Sequence, residues 1–160
     1  MALIRWIVRT VRPVLCDVMQ IRSFERQDYE SWLPLWQENC LHQISDVVTT
    51  ETWRRLCHKK EPVFGLGVYD ENQMQGFLHY ILHPTTGFIE QACYMQDIFI
   101  APDYRKQGLA KRLLWELDEK RRKENWSRLY WFAEKDNMAA QKLYENIGVS
   151  LNFSLHMIKD

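Results

Sequence analysis

The chain has 160 residues, 46% hydrophobic and 26% charged, which is one domain's worth of protein and enough to bury a core without disulfides or a structural metal. Its 21 basic and 21 acidic side chains cancel, which argues against a protein that holds nucleic acid through its overall field. Cys16, Cys40, Cys57 and Cys93 form no C-x-x-C pair and have no metal-ligand spacing with the histidines, so they read as free thiols of a reducing, cytoplasmic compartment with no bound metal.

Residues 1–18 stand apart from the domain expected over 19–160. Arg5, Arg9 and Arg12 share a helical face and no acid precedes Asp17. The pattern fits a loosely docked arm, a non-native start upstream of Met19, or a short amphipathic surface helix. It is too short to cross a bilayer and has no small-residue cleavage site, so neither a membrane span nor a signal peptide is expected.

Val18 to Phe24 alternates apolar and polar residues as a strand does. Glu25 to Leu41 then carries Tyr29, Leu33, Trp36 and Cys40 at helical spacing, with Pro34 as a kink. Thr50 is placed to cap a second helix running through Trp53 and Leu56 to about His58. Val63 to Tyr69 and Gly76 to Leu82 flank the polar turn Asp70-Glu71-Asn72-Gln73 and read as a hairpin. His79 and His83 are four apart, but in a region of strand period, where that spacing does not present a metal pair as a helix would. Pro84-Thr85-Thr86-Gly87 breaks the chain before a central strand that begins near Ile89 or Gln91.

Tyr94 to Ile100 has the aromatic and β-branched density of a buried strand, ended by Pro102. From Gln107 the period changes: Leu109, Ala110, Leu113, Leu114 and Leu117 share one helical face, and Lys111, Arg112, Glu116, Glu119 and Lys120 the other. A helix opening at Gly108 aims its unpaired N–H groups and the positive end of its dipole at one point, a ready site for a phosphate. Arg105, Lys106 and Lys111 add charge suited to a pyrophosphate. The bland alternative is an ordinary strand-to-helix turn with a solvated basic rim. No G-x-x-x-x-G-K-[ST] loop and no three-glycine dinucleotide fingerprint is present.

Beyond the long helix, whose last turn carries Lys120, Arg121, Arg122 and Lys123, Leu129 to Ala133 forms another strand, parallel to Tyr94–Ile100 by a right-handed crossover. Asp136 or Asn137 caps the next helix, Gly148 ends it, and Asn152 to Ile158 is a final strand.

Arg105-Lys106-Gln107-Gly108-Leu109-Ala110 resembles the acetyl-CoA loop of the GNAT superfamily of N-acetyltransferases, [RQ]-x-x-G-x-[GA], and Asp136 to Gly148 resembles its second signature, N-x-x-A-x-x-L-Y-x-x-x-G. The likeness covers roughly residues 19–158 and is nearest to the small-amine and polyamine branch. It implies an α/β (α+β) fold: a mixed, mainly antiparallel sheet, helices on both faces, and a splayed parallel strand pair that holds acetyl-CoA. By the same likeness the pantetheine arm pairs with Ile98, Phe99 and Ile100, the pyrophosphate meets residues Arg105, Lys106, Gln107, Gly108, Leu109, Ala110 and Lys111, and Asn137 contacts the cofactor. Tyr144 matches the family's general acid, with a core tyrosine as the bland alternative. A homodimer is a family habit.

The base is open. Where the branch carries a glutamate before the strand aspartate, this chain has Gln96-Asp97, and glutamine cannot take a proton. Strand alternation would put Gln96 and Asp97 on opposite faces, so Asp97 does not simply substitute. Either Asp97 is the base, or a water held by Gln96, Glu134 or another carboxylate removes the proton, or the amine arrives neutral; Asp97 as a purely structural residue is an equal alternative. The expected activity is direct acetyl transfer from acetyl-CoA to a small-molecule amine. Peptide or protein acetylation and a non-catalytic acetyl-CoA-binding module are the rivals.

Overall fold

The structure, a computed structural model, describes residues 19–158. The expectations for residues 1–18, Cys16 included, fall outside the described residues. In chain order the elements are β1 (Gln20–Ser23), α1 (Tyr29–Asn39), α2 (Asp46–Leu56), β2 (Val63–Asp70), β3 (Gln73–His83), β4 (Ala92–Ile100), α3 (Leu109–Lys123), β5 (Arg128–Tyr130) and α4 (Met138–Glu145). They form a five-stranded sheet in the order β1-β2-β3-β4-β5, antiparallel throughout except for the parallel pair β4–β5.

The sheet separates two apolar layers, because alternate side chains of each strand leave on opposite faces. On one face Leu109, Leu113, Leu114 and Leu117 of α3 pack against Leu66, Leu78, Cys93 and Met95. On the other, Trp32, Leu35 and Trp36 of α1 and Leu56 of α2 pack against Tyr69, Met74 and Phe77. Helices therefore cover both faces, as expected. Gly76 of β3 sits where a Cβ would lie 2.7 Å from the Phe99 carbonyl oxygen and 2.5 Å from Ile100 Cδ1, so a side chain there would push the β3–β4 ladder apart.

Three expectations are corrected. Thr50 lies inside α2, which starts a turn earlier because the Ser45 hydroxyl accepts from the Val48 N–H at 3.4 Å and Asp46 supplies an acid to the first turn. The strand expected over Leu129 to Ala133 is only Arg128–Tyr130. Residues 152–158 form no strand; they are exposed and carry no regular structure, since alternation supplies a face but not a ladder partner.

Candidate active site

The local geometry turns on a bulge in β4. Against β3 the register runs Ile100 with Gly76, Phe99 with Phe77, Ile98 with Leu78 and Asp97 with His79, then Met95 with Tyr80, leaving Gln96 as an extra residue. Cys93 and Met95 point into the α3-side core, yet so do Ile98 and Ile100, while Phe99 belongs to the α1/α2 side. The alternation thus changes phase at the bulge. Without it Asp97 would follow Cys93 and Met95 into the α3 core; with it, Asp97 stands beside His79. Plain alternation between Gln96 and Asp97, the sequence-based premise, does not hold there.

On its other edge β4 pairs with β5 only through Ala92, Cys93 and Tyr94, the last opposite Tyr130. From Met95 to Ile100 that edge has no ladder partner among the described residues, because the chain leaves the strand after Tyr130. The parallel pair therefore parts, and the β4 edge from Met95 to Ile100 faces the opening.

β4 runs into the turn that opens α3. Lys106 and Gly108 both have positive φ, 59° and 78°, and Gly108 is the residue that precedes the helix. A Cβ on Gly108 would meet nothing within 4 Å, so glycine answers the left-handed backbone and leaves the space before the helix open. The first turn has no side-chain cap and no acid. The first helical bond runs from Arg112 N to Gly108 O at 3.0 Å, so among the described residues the N–H groups of 109–111 have no helical partner, an arrangement suited to an anion.

The charged residues predicted there divide. Arg105 turns back: its Nε–H donates to the Ile100 carbonyl at 2.9 Å and its guanidinium lies 5.4 Å from the Phe99 ring centre, locking the end of β4 to the turn. Lys106 is exposed, Gln107 donates from Nε2 to the Asp103 carbonyl at 3.3 Å, and Lys111 Nζ lies 4.5 Å over the Trp115 ring. Leu109 is buried and Ala110 half-buried, so both offer backbone rather than side chain to the space before the helix.

α4 supplies the remaining residues. Asn137 Oδ1 accepts from the Ala140 N–H at 3.1 Å and so caps the helix. Tyr144, about two turns on, packs its ring 5.2 Å from that of Trp131, beside the α3-side core, and burial raises its pKa above the ordinary tyrosine value. Glu134 is exposed, as is Gln96. Among the described residues no group of three or more His, Cys, Asp or Glu could hold a metal ion.

A family model described as the acetyltransferase (GNAT) family matches residues 19–149. The chain belongs to that family. A D-amino-acid N-acetyltransferase of Saccharomyces cerevisiae is 26% identical over 136 residues, covering 82% of this chain and 84% of its own length. A ribosomal-protein-alanine N-acetyltransferase from Brucella melitensis biovar Abortus 2308 shares the fold at TM-score 0.75 and 22% identity, over 89% of this chain and 99% of that one. The aminoglycoside acetyltransferase AAC(6')-Iy, solved with a bisubstrate analogue of CoA, does so at TM-score 0.76 and 15% identity, over 89% and 97%.

GNAT acetyltransferases use acetyl-CoA, a ligand with amides to pair along a strand and a pyrophosphate to hold. Among the described residues the parted β4 edge has no ladder partner beyond Tyr94, with the Ile100 carbonyl taken by Arg105, and the uncapped α3 terminus with its open glycine offers amides to a phosphate. On the opposite face of the same segment of this GNAT enzyme, the Trp32 indole N–H donates to His79 Nε2 at 3.1 Å, and His79 Nδ1 lies 3.1 Å from Asp97 Oδ2. Cys40 stands near this carboxylate; burial first, and then the Asp97 charge, push its thiol up to about 11. Sequence reasoning found Asp97 and missed its partner, because the pairing of His79 with Asp97 depends on a strand register that no local motif writes.

Proposed function

We propose that the enzyme transfers acetyl from acetyl-CoA directly to a primary amine of a small molecule, in a ternary complex. The carrying observation is the unpaired β4 edge running from Met95 into the uncapped start of α3, with Asp97 on that same segment. In this reading the backbone of Ile98, Phe99 and Ile100 pairs with the pantetheine amides, and the amides of Gly108, Leu109, Ala110 and Lys111 meet the pyrophosphate. Lys106, Gln107 and Lys111 flank that point, while Arg105 holds the turn against the strand. Asn137 fixes the start of α4 beside the ligand.

The bound thioester supplies the activated acetyl group; the protein supplies placement and protons. Asp97 takes the proton of the incoming ammonium, directly or through one water; as the C–N bond forms and the C–S bond breaks, Tyr144 protonates the departing thiolate and is restored by the proton that the new amide nitrogen sheds. Burial keeps Tyr144 protonated through neutral pH, the form an acid requires, although it also widens the gap to the thiol that the site must offset. A small acceptor is supported by the D-amino-acid-acetylating relative, by the aminoglycoside acetyltransferase of the same fold, and by balanced charge, which gives no field to gather a charged macromolecule. A cytoplasmic homodimer completes the reading, with the exposed apolar side chains of Leu151, Phe153, Leu155 and Met157 as support for self-association.

Calorimetry with CoA and a thiol-release assay with acetyl-CoA test this over a panel of polyamines, D-amino acids, aminoglycosides and alanine- or lysine-bearing peptides. Turnover is expected with a small amine. Turnover of peptides alone would replace the acceptor class, and CoA binding without turnover of any amine would reduce the protein to a binding module.

A further inference from the structure

We propose that His79 is a positioning residue for the reaction: fixed by Trp32, it holds the Asp97 carboxylate in the orientation that receives the acceptor's proton. This rests on the reading of Asp97 as base and adds what holds it there. Two hydrogen bonds carry the inference. The indole N–H of Trp32 can only donate, so His79 Nε2, 3.1 Å away, must be the acceptor and bears no proton. The ring's proton is then on Nδ1, which lies 3.1 Å from Asp97 Oδ2 and donates to it. The contact has the spacing of an ion pair, but the Trp32 bond makes it a hydrogen bond from a neutral imidazole.

The arrangement is stiff where it must be and open where it must react. His79 is 2% exposed and Trp32 fully buried, and the imidazole stacks 4.4 Å from the Phe77 ring, so the donor has no freedom to swing. The Asp97 side chain is 21% exposed, with one oxygen engaged by His79 and, among the described residues, no protein donor on the other, Oδ1. Three elements meet in this line: α1 through Trp32, β3 through His79 and β4 through Asp97. The bulge at Gln96 is what brings the carboxylate to that face. A purely structural hydrogen bond would have no use for a half-open acceptor at the point where β4 leaves β5.

The test uses the whole chain, four single variants and the double variant His79→Leu with Asp97→Asn. His79→Leu removes the donor at similar volume, His79→Asn restores an N–H near the Nδ1 position, Trp32→Phe removes the indole donor, and Asp97→Asn removes the base. With the fastest amine of the panel, His79→Leu is expected to lower kcat about tenfold to a hundredfold at unchanged CoA affinity, and His79→Asn to recover most of it. Asp97→Asn is expected to be at least as slow as His79→Leu, and the double variant no slower than Asp97→Asn alone, since the two act as one unit.

Nitrogen-15 spectra of histidine-labelled protein read the tautomer independently: the parent shows His79 protonated at Nδ1, and Trp32→Phe loses that fixed state. If His79→Leu does not fold, Trp32→Phe carries the kinetic arm, with a smaller loss of kcat expected. Unchanged kcat in a folded His79→Leu, or an Nε2-protonated His79 in the parent, overturns the positioning role while leaving Asp97 as base. Parent-like kcat and pH profile in Asp97→Asn overturn the base reading itself, and a panel with no turnover overturns both.

Discussion

Asp28 is the most heavily engaged carboxylate on the α1/α2 side. It is 3% exposed, takes two bonds from the Arg22 guanidinium at 2.7 and 2.8 Å, one from the Glu25 N–H at 2.7 Å and one from the Tyr69 hydroxyl at 2.9 Å. Burial alone would raise its pKa, but Arg22, the Glu25 amide and Tyr69 together outweigh burial and leave it below the usual carboxylate value. A lowered native pKa means stability that is present above about pH 4, the unfolded carboxylate range, and is lost as pH falls through the lower native value. Asp28→Asn should therefore cost about 3 kcal/mol at neutral pH and flatten the acid side of a melting-temperature profile; a parallel shift at every pH would show that the charge is not the cause. Tyr144→Phe should instead leave melting and CoA affinity nearly unchanged and lower kcat, and an unchanged kcat would remove the hydroxyl as the acid. The role of Tyr144 is carried over from the resemblance, whereas Asn137 as a helix cap and Gly108 as the turn before α3 were legible in the sequence because each sits in a short motif with a local geometric job. His79 was not, since its work depends on Trp32, 47 positions away in the chain, and on a bulge that changes the phase of β4.

At the scale of elements, the turn before α3 makes a separable prediction. Gly108→Ala places a methyl where nothing lies within 4 Å, so its only structural cost is the left-handed backbone, φ 78°, worth about 1 kcal/mol. In the proposed reading that same methyl intrudes on the approach of the pyrophosphate. CoA affinity should then fall at least tenfold, a loss of about 1.4 kcal/mol in binding. Gly87→Ala, also in open space but without a positive φ, is the matched control and should change neither quantity. A Gly108→Ala protein that melts lower yet binds CoA like the parent would make the turn structural only. The beginnings of α3 and α4 were readable because glycine and asparagine mark them chemically. The start of α2 was misplaced because Ser45 and Thr50 are both competent caps, and it is the Thr49 N–H bonding back to the Ser45 carbonyl at 2.9 Å that makes residue 49 helical interior. β5 ends early for a reason composition cannot show: Trp131 and Phe132 continue its apolar run, but Trp131 turns to Tyr144 and the exposed Phe132 packs at a tilt against Tyr94 and edge-on to Tyr130 instead of extending a ladder.

Across the whole molecule the sheet is a partition with one incomplete edge. Both apolar layers are built on β2, β3 and β4, whereas β5 contributes three residues, and the chain that follows returns only through α4. A ligand lying along Met95 to Ile100 would complete the ladder on that edge and tie β4 to the starts of α3 and α4. Binding to the native state alone at a hundred times Kd stabilises by about 2.7 kcal/mol, which for a domain of this size is a rise of about 5 to 10 °C in melting temperature. The distribution of the effect is more telling than its size. Hydrogen exchange should slow over residues 95–100 and 106–112 and little in α1 and α2, which lie on the other face and gain no contact from the coenzyme. Adding a turned-over amine as well as CoA should then slow exchange on the α1/α2 side, around Asp97 and His79. If CoA alone protected α1 and α2 while leaving 95–100 unchanged, the ligand would be on the wrong side of the sheet. The parted strands would then be a defect in the ladder, with no part in holding the coenzyme.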